Sequence, residues 1–193
     1  AKRPCLCCHV PGNWNTADKG GAERTLCTAP AAHIRKALTI LDETNTLDFE
    51  VSIEQTHHGP KVTKPCMFIE IGSSLEEWKN PEAGRLIAQA IIRLTNEHPQ
   101  QKRTAIVLGG GHYNETANKL IRRTDLAVGH ICAKFLLDSL DKELLEQAIK
   151  RHSTPADMIV LDWKGLGPHK EKVKEILEGI DIEVKRNKTL LKG

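Results

Sequence analysis

The sequence predicts an α/β protein with a mixed, mainly parallel sheet and helices on both faces of that sheet. Apolar runs typical of strands alternate along the chain with stretches whose apolar residues recur every three or four positions, and this order favours a parallel sheet. The length of 193 residues suits one domain. No repeat, low-complexity segment or linker divides the sequence, so we expect residues 1–193 to form a single α/β domain.

The elements follow in order from the N-terminus. Residues before Pro30 are rich in glycine, proline and asparagine and predict extended chain and loop. Pro30 begins a helix, because proline suits the first helical position, and Ile34, Leu38 and Leu41 recur on its apolar stripe. Residues 48–57 alternate between apolar and polar side chains, which predicts a half-buried strand with one polar face.

The segment at residues 66–71 is apolar except for Glu70, which predicts a central strand covered on both faces. Two helices are predicted after it, one at a Ser-x-x-Glu capping spacing within residues 73–77 and one beginning at Asn80-Pro81. The remaining segments predict strands at residues 104–108, 126–132, 156–162 and 182–184, the last at a sheet edge, and helices at residues 114–122, 141–151 and 168–180.

Composition and charge leave several classes of function open. The formal net charge of +3 permits an RNA partner without requiring one. Basic clusters at Arg122-Arg123, Lys150-Arg151 and residues 170–174 could contact phosphates, or could simply be solvated helix faces. No apolar run approaches the ~20 residues that cross a bilayer, and no apolar segment typical of a secretory signal follows Ala1 to Pro4. We therefore expect no membrane partner.

Six cysteines in a chain without a predicted secretory signal favour reduced thiols and a cytoplasmic location. The run from Cys5 to His9 resembles a metal cluster, but no second Cys/His pair follows at zinc-finger spacing. Cys27, Cys66 and Cys132 stand singly among apolar residues, which favours small core side chains.

Unusual residues stand where the predicted strands end. His57 and His58 close one strand, Gly72-Ser73-Ser74 follows a second, Gly-Gly-Gly-His at residues 109–112 follows a third, and Asp-Trp-Lys at residues 162–164 follows a fourth. In open α/β sheets, ligands bind beyond the carboxyl ends of the strands. We therefore expect these residues to share one cleft.

The histidines of this cleft suit proton transfer or metal binding. Because His57 and His58 are adjacent, they would face opposite sides of a strand, and both could ligate one metal only if Gly59-Pro60 bends the chain. The alternative is one structural and one exposed histidine. The glycines before His112 could bring backbone amides to an oxyanion or a phosphate, or could form only a tight turn.

Glu70, His130 and Asp162 are weaker candidates. A carboxylate in an apolar strand is uncommon unless it is paired, so Glu70 could orient a histidine, support a metal or act as a base. It could equally be a structural partner for an arginine or a backbone amide. The remaining histidines stand beside predicted helices among polar neighbours, and we expect them at the surface: His33, His98, His152 and His169.

Several motifs, in this order along the chain, resemble those of the D-aminoacyl-tRNA deacylases of the archaeal and plant type. They are HVPGNW at residues 9–14, EQTHHGP at 54–60, FIEIGSS at 68–74, GGGHY at 109–113, GHI at 129–131 and DWKG at 162–165. The resemblance covers nearly the whole chain. It implies a fold similar to that of peptidyl-tRNA hydrolases and hydrolysis of the ester between a D-amino acid and tRNA, which is translation quality control.

The resemblance also implies roles for residues. We expect catalytic roles for His57, His58, His112 and Glu70. Members of the family are described as zinc-dependent, and the expected zinc ligands are His57, His58, His112 and, as a further candidate, His9. The expected substrate contacts are Gly109, Gly110, Gly111, Tyr113, Ser73, His130 and Lys164, with Arg122 and Arg123 as further candidates for phosphate. We expect a monomer whose partner is the aminoacylated end of tRNA.

Some alternatives stay open at this point. The base could be a side chain, a zinc-activated water or the 2′-hydroxyl of the terminal adenosine. Family members have a further N-terminal α/β segment that we expect this chain to lack, Asn114-Glu115 replaces the family's usual Ala-Pro, and Cys7-Cys8 replaces threonine or other small residues. Two other functions also remain: a peptidyl-tRNA hydrolase-like enzyme and a non-catalytic tRNA-binding module.

Overall fold

The computed structural model describes residues 3–192, and it has the mixed α/β architecture that the sequence predicts. The strands are β1 (Cys5–His9), β2 (Gly12–Asn13), β3 (Thr25–Leu26), β4 (Glu50–Ile53), β5 (Phe68–Gly72), β6 (Thr104–Leu108), β7 (Ala127–Cys132), β8 (Met158–Leu161) and β9 (Glu183–Arg186). The helices are α1 (Ala31–Thr44), α2 (Leu75–Trp78), α3 (Pro81–Asn96), α4 (Glu115–Arg123), α5 (Lys142–Lys150), α6 (Lys170–Leu177) and α7 (Asn187–Leu190). None of the described helices is long and apolar enough to cross a membrane.

The strands form a four-stranded sheet, a three-stranded sheet and a short two-stranded ribbon. The four-stranded sheet has the order β7-β6-β8-β9 and is parallel throughout. The three-stranded sheet has the order β4-β1-β5, with β4 parallel and β5 antiparallel to β1. The predicted edge position of the last strand is confirmed, since β9 pairs only at one side, with β8.

Strand β1 corrects the prediction that the first thirty residues are extended chain and loop. Cys5 to His9 form the middle strand of the three-stranded sheet, and all five residues are buried. Leu6 and Cys8 join the main hydrophobic core, while His9 faces the other side, where the sheet is also covered. A strand buried on both faces shows no alternation of apolar and polar residues, so the sequence pattern of β1 did not indicate a strand.

Strand β5 corrects a second prediction. It forms an edge of its sheet and is only partly buried, whereas its apolar sequence predicted a central strand. Because β5 runs antiparallel to β1, Gly72 pairs with Cys5 and Phe68 pairs with His9. The carboxyl end of β5 therefore lies at the opposite end of the sheet from His9, and Ser73 lies there too, with its hydroxyl donating to the Arg3 carbonyl at 2.9 Å.

The chain just after β4 joins the two larger sheets. The Glu54 N–H donates to the Cys8 carbonyl in one sheet, and the Thr56 N–H donates to the Ile131 carbonyl in the other, each at 3.0 Å. Between them, the Gln55 N–H donates to the carbonyl of His112 at 2.8 Å. We call residues 54–57 the seam. Its hydrogen bonds to both sheets place His57 and His58 at the junction between the sheets.

Helix ends fix the loops around this junction. Asn114 caps α4, with its side chain accepting from the Ala117 N–H at 2.9 Å, so the helix begins directly after the Gly109–Tyr113 loop. At the far end of β5, Ser74 and Glu77 form the capping box of α2, at the Ser-x-x-Glu spacing predicted within residues 73–77. The loop that carries His112 is therefore held between β6 and a capped helix.

Candidate functional site

A single open cavity lies beside the seam. Its volume is about 370 Å³, within the range of small-molecule sites. One wall is the segment from Gly12 to Lys19, and another contains Phe135 and Leu136. The floor is formed by Gln55 to His58 together with His112. The structure therefore brings together the two histidine motifs that the sequence placed at strand ends.

Four histidine rings cluster at this floor. The ring centroid of His57 lies 4.2 Å from that of His9, 4.5 Å from that of His58 and 4.6 Å from that of His112. His58 adopts a left-handed backbone conformation with φ of +45°, which few residues other than glycine accept at no cost. This turn allows two adjacent histidines to face the same cluster, and it supplies at His58 itself the bend that the sequence assigned to Gly59-Pro60.

Backbone carbonyls determine which ring nitrogen is available. The Nδ1 atom of His57 lies 2.8 Å from the Gln55 carbonyl, that of His58 lies against the Gly59 carbonyl, and that of His9 lies 3.3 Å from the Val10 carbonyl. A carbonyl accepts only from a protonated nitrogen, so in a neutral ring each contact favours the proton on Nδ1. Each Nε2 is then left with its lone pair.

His9 carries an orphaned polar atom. Its side chain has no solvent-accessible surface, and its ring stacks on Phe68 at 5.0 Å. Among the residues that the structure describes, none offers Nε2 a hydrogen bond. The Glu70 carboxylate comes nearest among the ionic partners, at 3.7 Å. Leaving a buried nitrogen unpaired costs about 1–3 kcal/mol, so Nε2 of His9 is suited to bind a ligand.

Glu54 is the carboxylate at the centre of the cluster. Its side chain is 4% exposed, and its Oε2 lies 3.5 Å from Nε2 of His112 and 3.6 Å from Nε2 of His57. Burial opposes ionisation of this carboxyl, but the hydrogen bond from His112 is the main effect that outweighs burial and lowers the pKa of Glu54 to about 2. The cleft therefore holds one fixed negative charge.

His57 remains uncharged near neutral pH. Burial and repulsion from His9 lower the pKa of His57 to about 4, against the opposing effect of its bond to the Gln55 carbonyl. A neutral imidazole with Nε2 unprotonated can accept a proton from water or hold a metal ion. His112, whose side chain is 38% exposed, is more open to solvent than His57, whose side chain is 21% exposed.

The glycine loop before His112 serves as a turn, which was one of the two alternatives. The N–H of Gly109 donates to the Cys132 carbonyl and that of Gly110 to the Gly165 carbonyl, at 2.9 and 3.1 Å. The Gly110 amide is engaged inside the protein and is therefore not available to the carbonyl or the terminal ribose of a substrate, whereas the expected contact from Gly111 stays a prediction. Gly111 is exposed and stands next to His112.

Other predicted contacts lie outside the cavity. The Tyr113 hydroxyl sits beneath the three-stranded sheet, where the Cys5 thiol donates to it across 3.8 Å, and burial raises the pKa of that phenol. Ser73 lies at the opposite end of the sheet, because β5 is antiparallel. Arg122 is engaged by Asp42 at 2.9 Å and by the Val51 carbonyl, so it is not available to a phosphate.

His130 and His152 form a buried pair away from the cavity. His130 is fully buried, with one ring nitrogen 3.2 Å from the Thr56 hydroxyl and the other 2.9 Å from the Arg151 carbonyl. A substrate cannot reach a side chain enclosed in this way. His152 is only 5% exposed, so its predicted surface position is wrong. Burial lowers the pKa of both imidazoles, that of His152 to about 4.

Sequence reasoning missed Glu54 as a site residue. Its signal was present, because Glu54 continues the polar face of the strand at residues 48–57 and stands three residues before His57. The polar face of a half-buried strand is usually exposed to solvent, so Glu54 was not predicted as a site residue. Ser52 and Glu54 are in fact buried. Only the position of the second layer, which covers this face, distinguishes a solvated glutamate from one inside a site.

Three sets of side chains place their ligand atoms within 4.8 Å of one another. They are His9, His57 and His58; Glu54, His57 and His112; and His9, Glu54 and Glu70. Imidazole and carboxylate donors suit zinc, which commonly takes three such protein ligands at a catalytic site. Among these described sets none contains a cysteine, and Cys5, Cys7 and Cys8 are buried thiols of β1.

A mixed α/β fold with clustered histidines and a buried ionised carboxylate at the ends of its strands defines a hydrolytic type of site. Comparisons with known proteins specify it further. The family model described as D-aminoacyl-tRNA deacylase matches residues 1–185, and the chain belongs to this family. The resemblance read from the motifs is thus confirmed.

Individual relatives agree with this assignment. The chain is 40% identical to the D-aminoacyl-tRNA deacylase of Thermococcus kodakarensis, covering 96% of this chain and 69% of the relative. It is 36% identical to that of Pyrococcus abyssi, covering 94% and 68%. A crystal structure of a conserved protein of unknown function superposes with a TM-score of 0.85 at 33% identity, covering 98% of this chain and 68% of the other.

Proposed function

We propose that the histidine cleft hydrolyses the ester bond between a D-amino acid and the 3′ end of tRNA, releasing both. The observation that carries this proposal is the convergence of His57, His58 and His112 on one open cavity, with buried His9 and Glu54 clustered beside them, in a member of the D-aminoacyl-tRNA deacylase family. An aminoacyl ester is an activated acyl group, so its hydrolysis depends mainly on positioning, a water nucleophile and stabilisation of the oxyanion.

The side chains divide this work. Neutral His57, with Nε2 free to accept, is suited to take a proton from the attacking water. His112, partly exposed and beside ionised Glu54, is suited to donate to the oxyanion or the leaving hydroxyl. Glu54 acts through His112 and His57 by fixing their orientation and stabilising positive charge on them. Lys164, exposed on the turn after β8, is available to a phosphate of the RNA.

The cleft also fits a zinc ion. The orphaned Nε2 of buried His9, together with the Nε2 lone pairs of His57 and His58, forms a donor set for the metal, with Glu70 beside His9. A bound metal would occupy the lone pair of His57, which would then not serve as the proton acceptor. When bound, zinc supplies a Lewis acid that polarises a carbonyl or activates water. This leaves Glu54 and His112 to orient the substrate at the open side of the cleft.

The test of the function is hydrolysis of matched D- and L-aminoacyl-tRNA. The protein should cleave the D-ester and spare the L-ester, and His112→Ala should lower kcat by at least about 100-fold because it removes a proton donor. The thermal midpoint of that variant should change little, since His112 is 38% exposed. His33→Ala, at an exposed histidine of α1, is the matched control. Equal rates on both enantiomers would refute the claim of chirality, and better cleavage of N-blocked esters would instead indicate a peptidyl-tRNA hydrolase.

The zinc proposal has a separate readout. Purified protein should contain about one zinc per chain, removable by a chelator. His9→Gln should weaken zinc binding in a competition with a chromophoric chelator, because it removes the buried Nε2, whereas His33→Gln should bind as the wild type does. Equal zinc affinity in both variants would remove His9 from the ligand set.

A further inference from the structure

Phe135 is an exposed aromatic residue at the rim of the histidine cavity. It lies on the short 3₁₀ turn of Lys134–Leu136, and 59% of its surface is exposed. Burying such a ring would stabilise the folded state by about 1.5–3 kcal/mol, and the exposed position of Phe135 does not provide this stabilisation. The same cavity contains His57 and His112, so the ring faces the space in which the ester is to be cleaved.

The turn that presents this ring is firmly held. Ala133 and Leu137, on either side of it, are completely buried. The Lys134 N–H donates to the Gly110 carbonyl at 2.9 Å, and the Leu137 N–H donates to the Lys134 carbonyl at 3.2 Å. Phe135 therefore stands at a fixed position relative to the loop that carries His112. A rigid aromatic face open to solvent is the form that base-stacking platforms take in proteins that bind single-stranded nucleic acid.

Charge indicates which part of the substrate passes this side. The Lys134 stem packs against Gly167, in the turn that also carries exposed Lys164. Beyond it, the Trp163 ring has the Arg186 guanidinium 3.8 Å from its centroid and the Lys170 ammonium 5.4 Å away. Elsewhere in the lining of the cavity, the charges of Asp18 and Lys19 offset each other. The polyanionic RNA should therefore leave the cleft past Phe135, and the amino acid should occupy the other side.

We propose that Phe135 stacks on the terminal nucleobase of the RNA substrate and so positions the ester over the histidines. This rests on the proposed function. Stacking on a ring face does not read base edges, so it suits an enzyme that must accept many RNAs with the same 3′ end. A stacked base is worth about 1–3 kcal/mol by alanine substitution, which is about 5- to 150-fold in affinity.

Two non-hydrolysable probes test the proposal. One is 3′-deoxy-3′-(D-aminoacylamino)adenosine, and the other is the same amide on methyl riboside, which lacks the base. NMR titration should give the wild type a preference of about 5- to 150-fold for the adenosine probe. Phe135→Ala should lose this preference while binding the riboside probe as before, and Phe135→Trp should keep it. Trp78→Ala, at an exposed aromatic residue of α2, is the matched control and should change neither affinity.

Each other result overturns the stacking proposal. If Phe135→Ala weakens both probes equally, the ring contacts the amino acid or supports the cleft. If it weakens neither, or if the wild type binds neither probe, the ring is not a base platform. Turnover of D-aminoacyl-tRNA by the wild type is measured separately, so a failure of the proposed function is distinguished from a failure of stacking.

Discussion

Glu54 determines the charge of the cleft at the scale of single residues. It contacts both His57 and His112, and it stays ionised despite its burial because of the hydrogen bond from His112 and the surrounding imidazoles. Among the described residues the ionic partner of Glu70 is His9, and its side chain is 38% exposed, so water already screens it. The two carboxylates are therefore unequal, and the buried one should matter more to turnover.

The substitution Glu54→Gln tests this difference. It keeps the shape of the side chain and removes the charge, so kcat should fall by about 10- to 100-fold, the usual cost of losing the partner that orients a catalytic histidine. The kcat of the matched variant Glu70→Gln should fall by less than that of Glu54→Gln. Steady-state deacylation and a thermal melt of each variant provide the measurement. A larger loss from Glu70→Gln than from Glu54→Gln would reverse the assignment.

At the scale of elements, the link between β6 and α4 depends on one glycine. Gly110 has φ of +82°, and a Cβ added there would meet the Asn114 side-chain nitrogen at 2.7 Å and an Asp162 carboxylate oxygen at 3.1 Å. Asn114 caps α4 and also donates to the Gly109 carbonyl at 2.9 Å. A larger residue at position 110 would thus disturb the turn, the cap and the position of His112 together.

We expect Gly110→Ala to destabilise the protein by about 2 kcal/mol, since the left-handed conformation costs about 1–2 kcal/mol and loss of a cap about 1 kcal/mol. Gly84→Ala is the matched control, because nothing lies within 4 Å of a Cβ there. Within helix α3 this change should stabilise by about 0.5–1 kcal/mol. Urea unfolding of both variants measures these effects, and equal shifts would show that the turn tolerates a side chain.

At the scale of the whole molecule, the sequence predicted the helices and strands themselves better than it predicted which elements pack beside them. Alternating strands and helices, the edge position of β9 and the cap at Asn80 follow from local periods and spacings, which every segment carries in itself. The place of β1, the direction of β5 and the burial of Glu54 depend on what packs against them. The same limit applies to the site: the strand-end histidines and the further candidate His9 were visible in the motifs, whereas buried Glu54 and exposed Phe135 needed the assembled sheets.

Buried histidines give the folded state a pH dependence. His57 and His152 have pKa values of about 4 when folded and about 6.5 when unfolded. Between these values the unfolded chain binds more protons, so stability is full above about pH 6.5 and falls as the pH drops toward 4. Each histidine can contribute a loss on the order of 3 kcal/mol. The low pKa of Glu54 adds a further loss only at lower pH, from about 4.5 toward 2.

Urea unfolding at pH 7.5, 6 and 5 measures this dependence, and His152→Gln should flatten its slope even if the variant is less stable overall. His33→Gln, at an exposed histidine, should leave the slope unchanged. If stability rose on acidification across this range, the histidines would be stabilised by protonation, contrary to their burial.

The seam at residues 54–57 ties the two larger sheets together and, in the same few residues, supplies Glu54 and His57. The proposed catalytic groups are therefore held by the same contact that joins the two larger sheets. Any slippage of one sheet against the other would pull the cleft apart and would also disturb the main hydrophobic core, which side chains from both sheets share. A fluctuation inside one half of the molecule would leave Glu54 and His57 in place. A fluctuation at this junction would displace them and interrupt the proposed reaction.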